Sequence, residues 1–235
     1  MNEMDRVPIE VERMGERYAR RRPGGLYHAL RPEVLRASQE LDRAIAVMLT
    51  GMAGKPESEL CVLEVGCGSG SNLMRLLALG FNPDNLVANE LLPERVSQAR
   101  RNLPAGTTVL PGDATALDLP AGGFDIVHCS LVFSSILDDA FQERLASSMW
   151  KWVAPGGAVL WYDFIYDNPS NKDVRGVPVR RIRELFPDAQ ATVRRVTLAP
   201  PISRRVCRAW AGAYGLFNVL PLLRSHVLCW LAKPR

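Results

Sequence analysis

One short segment restricts what this chain can fold into more than any other. An apolar, β-branched run from Cys61 to Val65 ends in Gly66-Cys67-Gly68-Ser69-Gly70. Leu73, Met74, Leu76 and Leu77 then recur at helical spacing. The pattern predicts a strand, a tight glycine turn and a helix. Glycines permit backbone angles that other residues resist, and they let a ligand approach the chain closely. The unpaired N–H groups of the helix start favour a polar or anionic ligand group. Dinucleotide sites use a similar turn, but here the spacing is G-x-G-x-G, with Ser71 where their fingerprint wants its third glycine. An acid, Glu64, stands two residues before the first glycine. It would repel a pyrophosphate and attract an ammonium or sulfonium cation.

Further motifs follow in order. Asn85-Leu86-Val87-Ala88-Asn89-Glu90 reads as a second strand ending in an acid, at the distance expected of one βαβ unit, where a carboxylate can accept two hydrogen bonds from a ribose diol. Leu91 to Val96 opens a helix with Pro93 in its first turn. Gly112-Asp113-Ala114, Phe124 to Ser130, and Val153-Ala154-Pro155-Gly156-Gly157 running on to Leu160 complete the series. Together these segments resemble the class I S-adenosylmethionine-dependent methyltransferases. The resemblance implies a Rossmann-like, doubly wound α/β fold. Its sheet has seven mostly parallel strands, helices on both faces and a last antiparallel strand. It also implies S-adenosylmethionine as cofactor. In its terms Glu64, Gly66, Cys67, Gly68 and Gly70 cradle the methionine part, and Glu90 holds the ribose with Leu91 against the adenine. Asp113 and Ala114 read the adenine amine, and Ser130 and Leu131 close the site. An Asx turn after the third strand is the alternative reading of Asp113.

The substrate side is expected at the fifth strand's end, from Tyr162, Tyr166 and Asn168, with Tyr18 and Tyr27 on capping N-terminal helices. Asp163 is the candidate general base; its alternative is to hold the following loop. His128 and His226 lie in apolar strands and read as core histidines. After the fourth strand the chain reads Cys129-Ser130-Leu131-Val132-Phe133. The Asn/Asp-Pro-Pro-Tyr of amino-methylating relatives is missing, as are the Pro-Cys pair of cytosine C5 enzymes and the magnesium ligands of catechol-type ones. A small-molecule acceptor remains, such as a sugar, glycolipid or secondary metabolite, with O-methylation expected. The loop from Asp163 to Gly176 resembles a bacterial subgroup of such enzymes. RNA methylation through the Arg17 to Arg22 run, and cofactor sensing without transfer, are the alternatives.

Composition agrees with one domain over residues 1–235: the chain is 47% hydrophobic and 23% charged, the balance of an ordinary globular protein. It divides into an N-terminal helical cap (1–55), a cofactor-binding core (56–165) and a substrate-side region (166–235). The core is expected to alternate strand and helix five times, and one helix is expected over 203–218. No apolar run is long enough to span a membrane, and the N-terminus lacks the apolar region of a signal peptide, so a cytoplasmic location is expected. The alternative for the apolar stretch from Trp210 to Trp230, beside Arg204, Arg205 and Arg208, is peripheral contact with a membrane surface. The five cysteines lack C-x-x-C spacing and read as free thiols, and with three histidines no metal site is expected. A net charge of +4 is too mild to argue for nucleic acid, and the sequence leaves the oligomeric state open.

Overall fold

The structure, a computed structural model, describes residues 6–20, 25–50 and 55–235. Seven strands form one sheet: β1 (Val62–Val65), β2 (Leu86–Glu90), β3 (Thr108–Pro111), β4 (Phe124–Ser130), β5 (Val153–Phe164), β6 (Gln190–Leu198) and β7 (Arg224–Ala232). Their order is β3-β2-β1-β4-β5-β7-β6. The first five pair in parallel, and β7 runs antiparallel between β5 and β6. Helices α1 (Arg6–Ala19), α2 (Pro32–Leu49), α3 (Ser71–Ala78), α4 (Pro93–Asn102), α5 (Asp139–Trp152), α6 (Val179–Leu185), α7 (Pro200–Ala209) and α8 (Ala213–Asn218) surround it.

Strand alternation divides the core into two layers, because successive side chains leave a strand on opposite faces. Leu63, Val65, Val127, Cys129, Val159 and Trp161 face Phe141, Leu145 and Met149 of α5 and Ile182 of α6. Val62, Ile126, Leu160 and Leu228 face Leu41 and Ile45 of α2 and Leu73 and Leu76 of α3. Helix α5 shows why it starts where it does. Asp138 accepts the Phe141 N–H as N-cap, and the next apolar residues recur on one face.

Two expectations are corrected. The core does not alternate strand and helix five times, because β3 and β4 are joined by a single 3₁₀ turn, Ala114–Ala116, capped by Asp113. The helix expected over 203–218 is two helices, α7 and α8. Trp210 is extended at φ −163 and ψ 113, and an added Cβ on Gly212 would lie 2.7 Å from its ring, so the indole packs where a continuous helix would run. All five cysteines are free thiols. Among the described residues no helix is long and apolar enough to cross a membrane.

Candidate active site

The glycine turn is built by what surrounds it. Gly66, Gly68 and Gly70 have φ of 68°, 59° and 87°, in the left-handed region. A Cβ on Gly66 would lie 2.7 Å from Val132 Cγ2 and one on Gly70 would lie 2.8 Å from Leu103 Cγ, so neither position has room. At Gly68 the nearest atom is Arg95 Nη1 at 3.9 Å, and a Cβ there would stand in open space. Glu90 ties the turn to the end of β2. Its Oε2 accepts the Gly68 N–H at 2.7 Å and its Oε1 accepts the Leu92 N–H at 3.0 Å. Asp113 makes the Asx turn, accepting the Thr115 N–H at 2.8 Å and its hydroxyl at 2.9 Å.

These strand ends open into a cavity of about 640 Å³ roofed by α1, α2 and α7. Gly66, Cys67, Gly68, Glu90, Leu91, Asp113, Ala114, Ser130 and Leu131 all line it. Gly70 caps α3 behind it. Burial, with the Glu64 and Glu90 charges, pushes the Cys67 thiol up to about 12, so it stays protonated at neutral pH.

The opposite end is shaped by β5, β6 and β7. The Tyr162 ring stacks on His226, centroids 5.1 Å apart, and its hydroxyl bonds Thr197 Oγ1 at 2.9 Å. Thr197 has φ 62°, a strained angle for a β-branched residue. It is held there by its N–H, which donates to Glu40 at 3.1 Å. The His226 Nδ1 meets Ser225 Oγ at 3.0 Å, and burial lowers the ring's pKa to about 4, so it is neutral. Burial raises the Tyr162 hydroxyl well above its ordinary value.

The structure places several expected site residues away from the cavity. Glu64 is completely buried and does not line the cavity. It accepts from Asn72 Nδ2 at 2.6 Å, and Asn72, not Glu64, faces inward. Asp163 does not reach the cavity either. Its oxygens accept the Ser134 N–H at 3.0 Å and the Phe164 N–H at 2.9 Å, so it braces the chain leaving β4. Burial raises its pKa to about 7, a suitable value for a base in an unsuitable place. Tyr166 is exposed and accepts from Arg195 Nη1 at 3.1 Å. Asn168 is exposed and caps a local turn through Ser170 N–H. Neither lines the cavity. The Tyr27 side chain lies outside the described residues. Arg17 is buried in an ion pair with Glu10 at 2.6 Å, and the exposed Arg20 pairs with Asp173 at 2.9 Å; Arg21 and Arg22 lie outside the described residues.

Sequence reasoning missed Asn72, Arg95 and Thr197 and named Arg204 only as part of a basic run; all four line the cavity. For Arg95 a signal existed, since it sits in the first turn of the helix after Glu90. For Arg204 the basic run at 204, 205 and 208 was a signal, whereas for Thr197 none existed, because the chain brings it in from beyond residue 190.

Residues 62–157 match the family described as "Methyltransferase domain". The chain is 40% identical over 83 residues to a malonyl-[acyl-carrier protein] O-methyltransferase of Bacteroides fragilis, a match covering 35% of this chain and 17% of that protein. It is 27% identical over 116 residues to a thiol S-methyltransferase of Homo sapiens, covering 47% and 45%. The chain therefore spans less than half the length of either relative. The solved structure of an S-adenosylmethionine-dependent methyltransferase from Mesorhizobium loti superposes with TM-score 0.57 at 17% identity, covering 80% of this chain and 96% of that one.

Proposed function

The chain belongs to the class I S-adenosylmethionine-dependent methyltransferases, and from that premise we propose that it transfers a methyl group from S-adenosylmethionine to a small-molecule acceptor. The observation that carries this reading is one continuous cavity that runs from the glycine turn and Glu90 to the Tyr162–His226 pair. A sensor needs only the first half of it.

The residues fit the cofactor. A Cβ on Gly68 would stand in open space, so a ligand can lie against that backbone. Each Glu90 oxygen accepts one protein N–H and keeps a lone pair for a ribose hydroxyl. Ala114 and the Asp113 backbone offer contacts for adenine. The bound cofactor supplies an electrophilic methyl group on a sulfonium. The protein's part is to hold the acceptor in line with that group and to exclude water, which α1, α2 and α7 do by covering the cavity.

Among the described residues that line the acceptor end, His226, Tyr162 and Glu33 are poorly tuned as bases. General-base catalysis works best with a pKa near the working pH. His226 sits at about 4, and Tyr162 is pushed far above its ordinary value. A bond from its own backbone N–H, then Arg31 and Arg204, hold Glu33 below the usual carboxylate range. Arg204 adds a cation on the same wall. Such walls suit a nucleophile that arrives already deprotonated. Among sugars, glycolipids and secondary metabolites, a carboxyl-bearing member fits better than a plain hydroxyl. The malonyl group in one relative's name carries a free carboxylate.

Calorimetry with S-adenosylmethionine and its demethylated product should show binding, and labelled cofactor should deliver methyl to the carboxylate fraction of a metabolite extract. No binding at millimolar cofactor would end the reading. Transfer confined to neutral hydroxyls would end its acceptor half.

A further inference from the structure

Charge is divided unevenly along this chain. Residues 189–235 contain eight Lys and Arg and no Asp or Glu, while the other 188 residues carry net −4 against +4 for the whole. Much of that cationic segment is α7, α8 and the turn after them. Helix α7 turns Ser203 and Cys207 inward, and α8 turns Tyr214 and Asn218 inward. Facing outward are Arg205 and Arg208 and a run of large apolar side chains. Trp210, Leu216, Val219, Leu220 and Leu222 are 54 to 86% exposed. Single exposed apolar residues are ordinary, but five within thirteen positions form a patch of the kind that marks an interaction site.

The helix that borders the patch also lines the cavity. Pro200, Ser203 and Arg204 of α7 line it, as does Leu26, itself 51% exposed. Helix α7 therefore carries both the arginines that border the patch and part of the cavity wall.

We propose that the α7–α8 face docks on an anionic lipid bilayer and that the acceptor enters the cavity from that bilayer. The second half rests on the methyl-transfer reading. Aliphatic side chains and a tryptophan, bordered by arginines and free of acids, are what an acyl boundary beneath anionic headgroups accepts. A second copy of this chain would set the same unmatched arginines against each other, and like charges in an interface are costly. An acidic carrier protein would satisfy the arginines but would leave five large apolar side chains without an apolar counterpart.

Flotation with phosphatidylglycerol vesicles and with phosphatidylcholine vesicles tests the docking. The parent should float with the anionic vesicles only, and less as salt rises. Arg205→Gln and Arg208→Gln should each weaken binding roughly fivefold. Leu220→Ser and Leu222→Ser should each weaken it about tenfold. All four positions are exposed, so the variants should keep the parent's melting temperature and its affinity for the demethylated cofactor. The docking is overturned if the parent floats with neither vesicle or the leucine variants float like the parent. It is also overturned if those variants abolish self-association, or binding to an acidic carrier protein, in a parent that never floats. Labelled methyl recovered in the lipid phase of vesicles made from a cell lipid extract supports the acceptor half, and label only in water-soluble products overturns it. Failure to bind cofactor in calorimetry is failure of the methyl-transfer reading instead, and flotation still decides the docking.

Discussion

Glu90→Ala separates two roles that one carboxylate performs. In the sequence this residue stands at a strand end where the fold would tolerate its loss. In the structure it is 5% exposed, and its two oxygens accept backbone N–H groups at 2.7 and 3.0 Å. A hydrogen bond to a charged group contributes about 1.5 to 3 kcal/mol net. Because Glu90 lines the cavity, water can reach the amides that alanine leaves bare, which favours the low end. The loss is about 3 kcal/mol in total, and for a chain of this size that lowers the melting temperature by roughly 6 to 12 °C. Glu90→Gln keeps one carbonyl acceptor and should lose about half as much. Thermal unfolding without cofactor reads this role. Calorimetry reads the second, where losing two bonds to a ribose diol should weaken cofactor binding by about 2 to 4 kcal/mol. An alanine variant that melts with the parent would refute the bracing of the glycine turn. One that binds cofactor like the parent would refute the placement of the site.

Four other outcomes follow from the same geometry. Gly70→Ala places a Cβ 2.8 Å from Leu103 at φ 87° and should cost about 3 kcal/mol in urea unfolding, whereas Gly68→Ala should cost about 1 to 2 kcal/mol and chiefly weaken cofactor binding in calorimetry. Asp163 has its pKa raised from 3.8 to about 7, so its ionisation opposes folding: stability should fall as pH rises from about 4 to about 7, by an amount on the order of 4 kcal/mol that Asp163→Asn lacks. His226 has its pKa lowered from 6.5 to about 4, so stability is lost as pH falls through that window, and His226→Phe should remove this loss; urea titrations across pH check both. Tyr166→Phe and Asn168→Ala, both exposed and off the cavity, should leave melting temperature and cofactor affinity within about 0.5 kcal/mol of the parent.

The cofactor half of the molecule was legible because its signals are local. The turn from Gly66 to Gly70 follows its strand directly, Glu90 ends the next strand and Asp113 lies just past the third, so sequence order is also spatial order across β1, β2 and β3. The errors arose where a residue's side of the strand decides its role. Glu64 and Asp163 both stand near strand ends. Alternation turns Glu64 toward α3 and His128, and Asp163 toward the backbone of Ser134, so neither faces the ligand. A strand end names the edge of a sheet, and the pleat chooses the face.

The acceptor half was hidden for a different reason. Its wall joins Glu33 of α2, Tyr162 of β5, Thr197 of β6, Arg204 of α7 and His226 of β7, five elements spread over nearly two hundred residues. No spacing rule links them, because the antiparallel β7 carries His226 back to the edge where β5 ends, and pairs it with Phe164. That reversal also explains the strain at Thr197. Beside β7 the chain must leave β6 and turn into α7, and Glu40 and Tyr162 fix the strained residue from two sides. The anchoring groups come from the helical roof and from the central sheet, so the acceptor wall is tied to both.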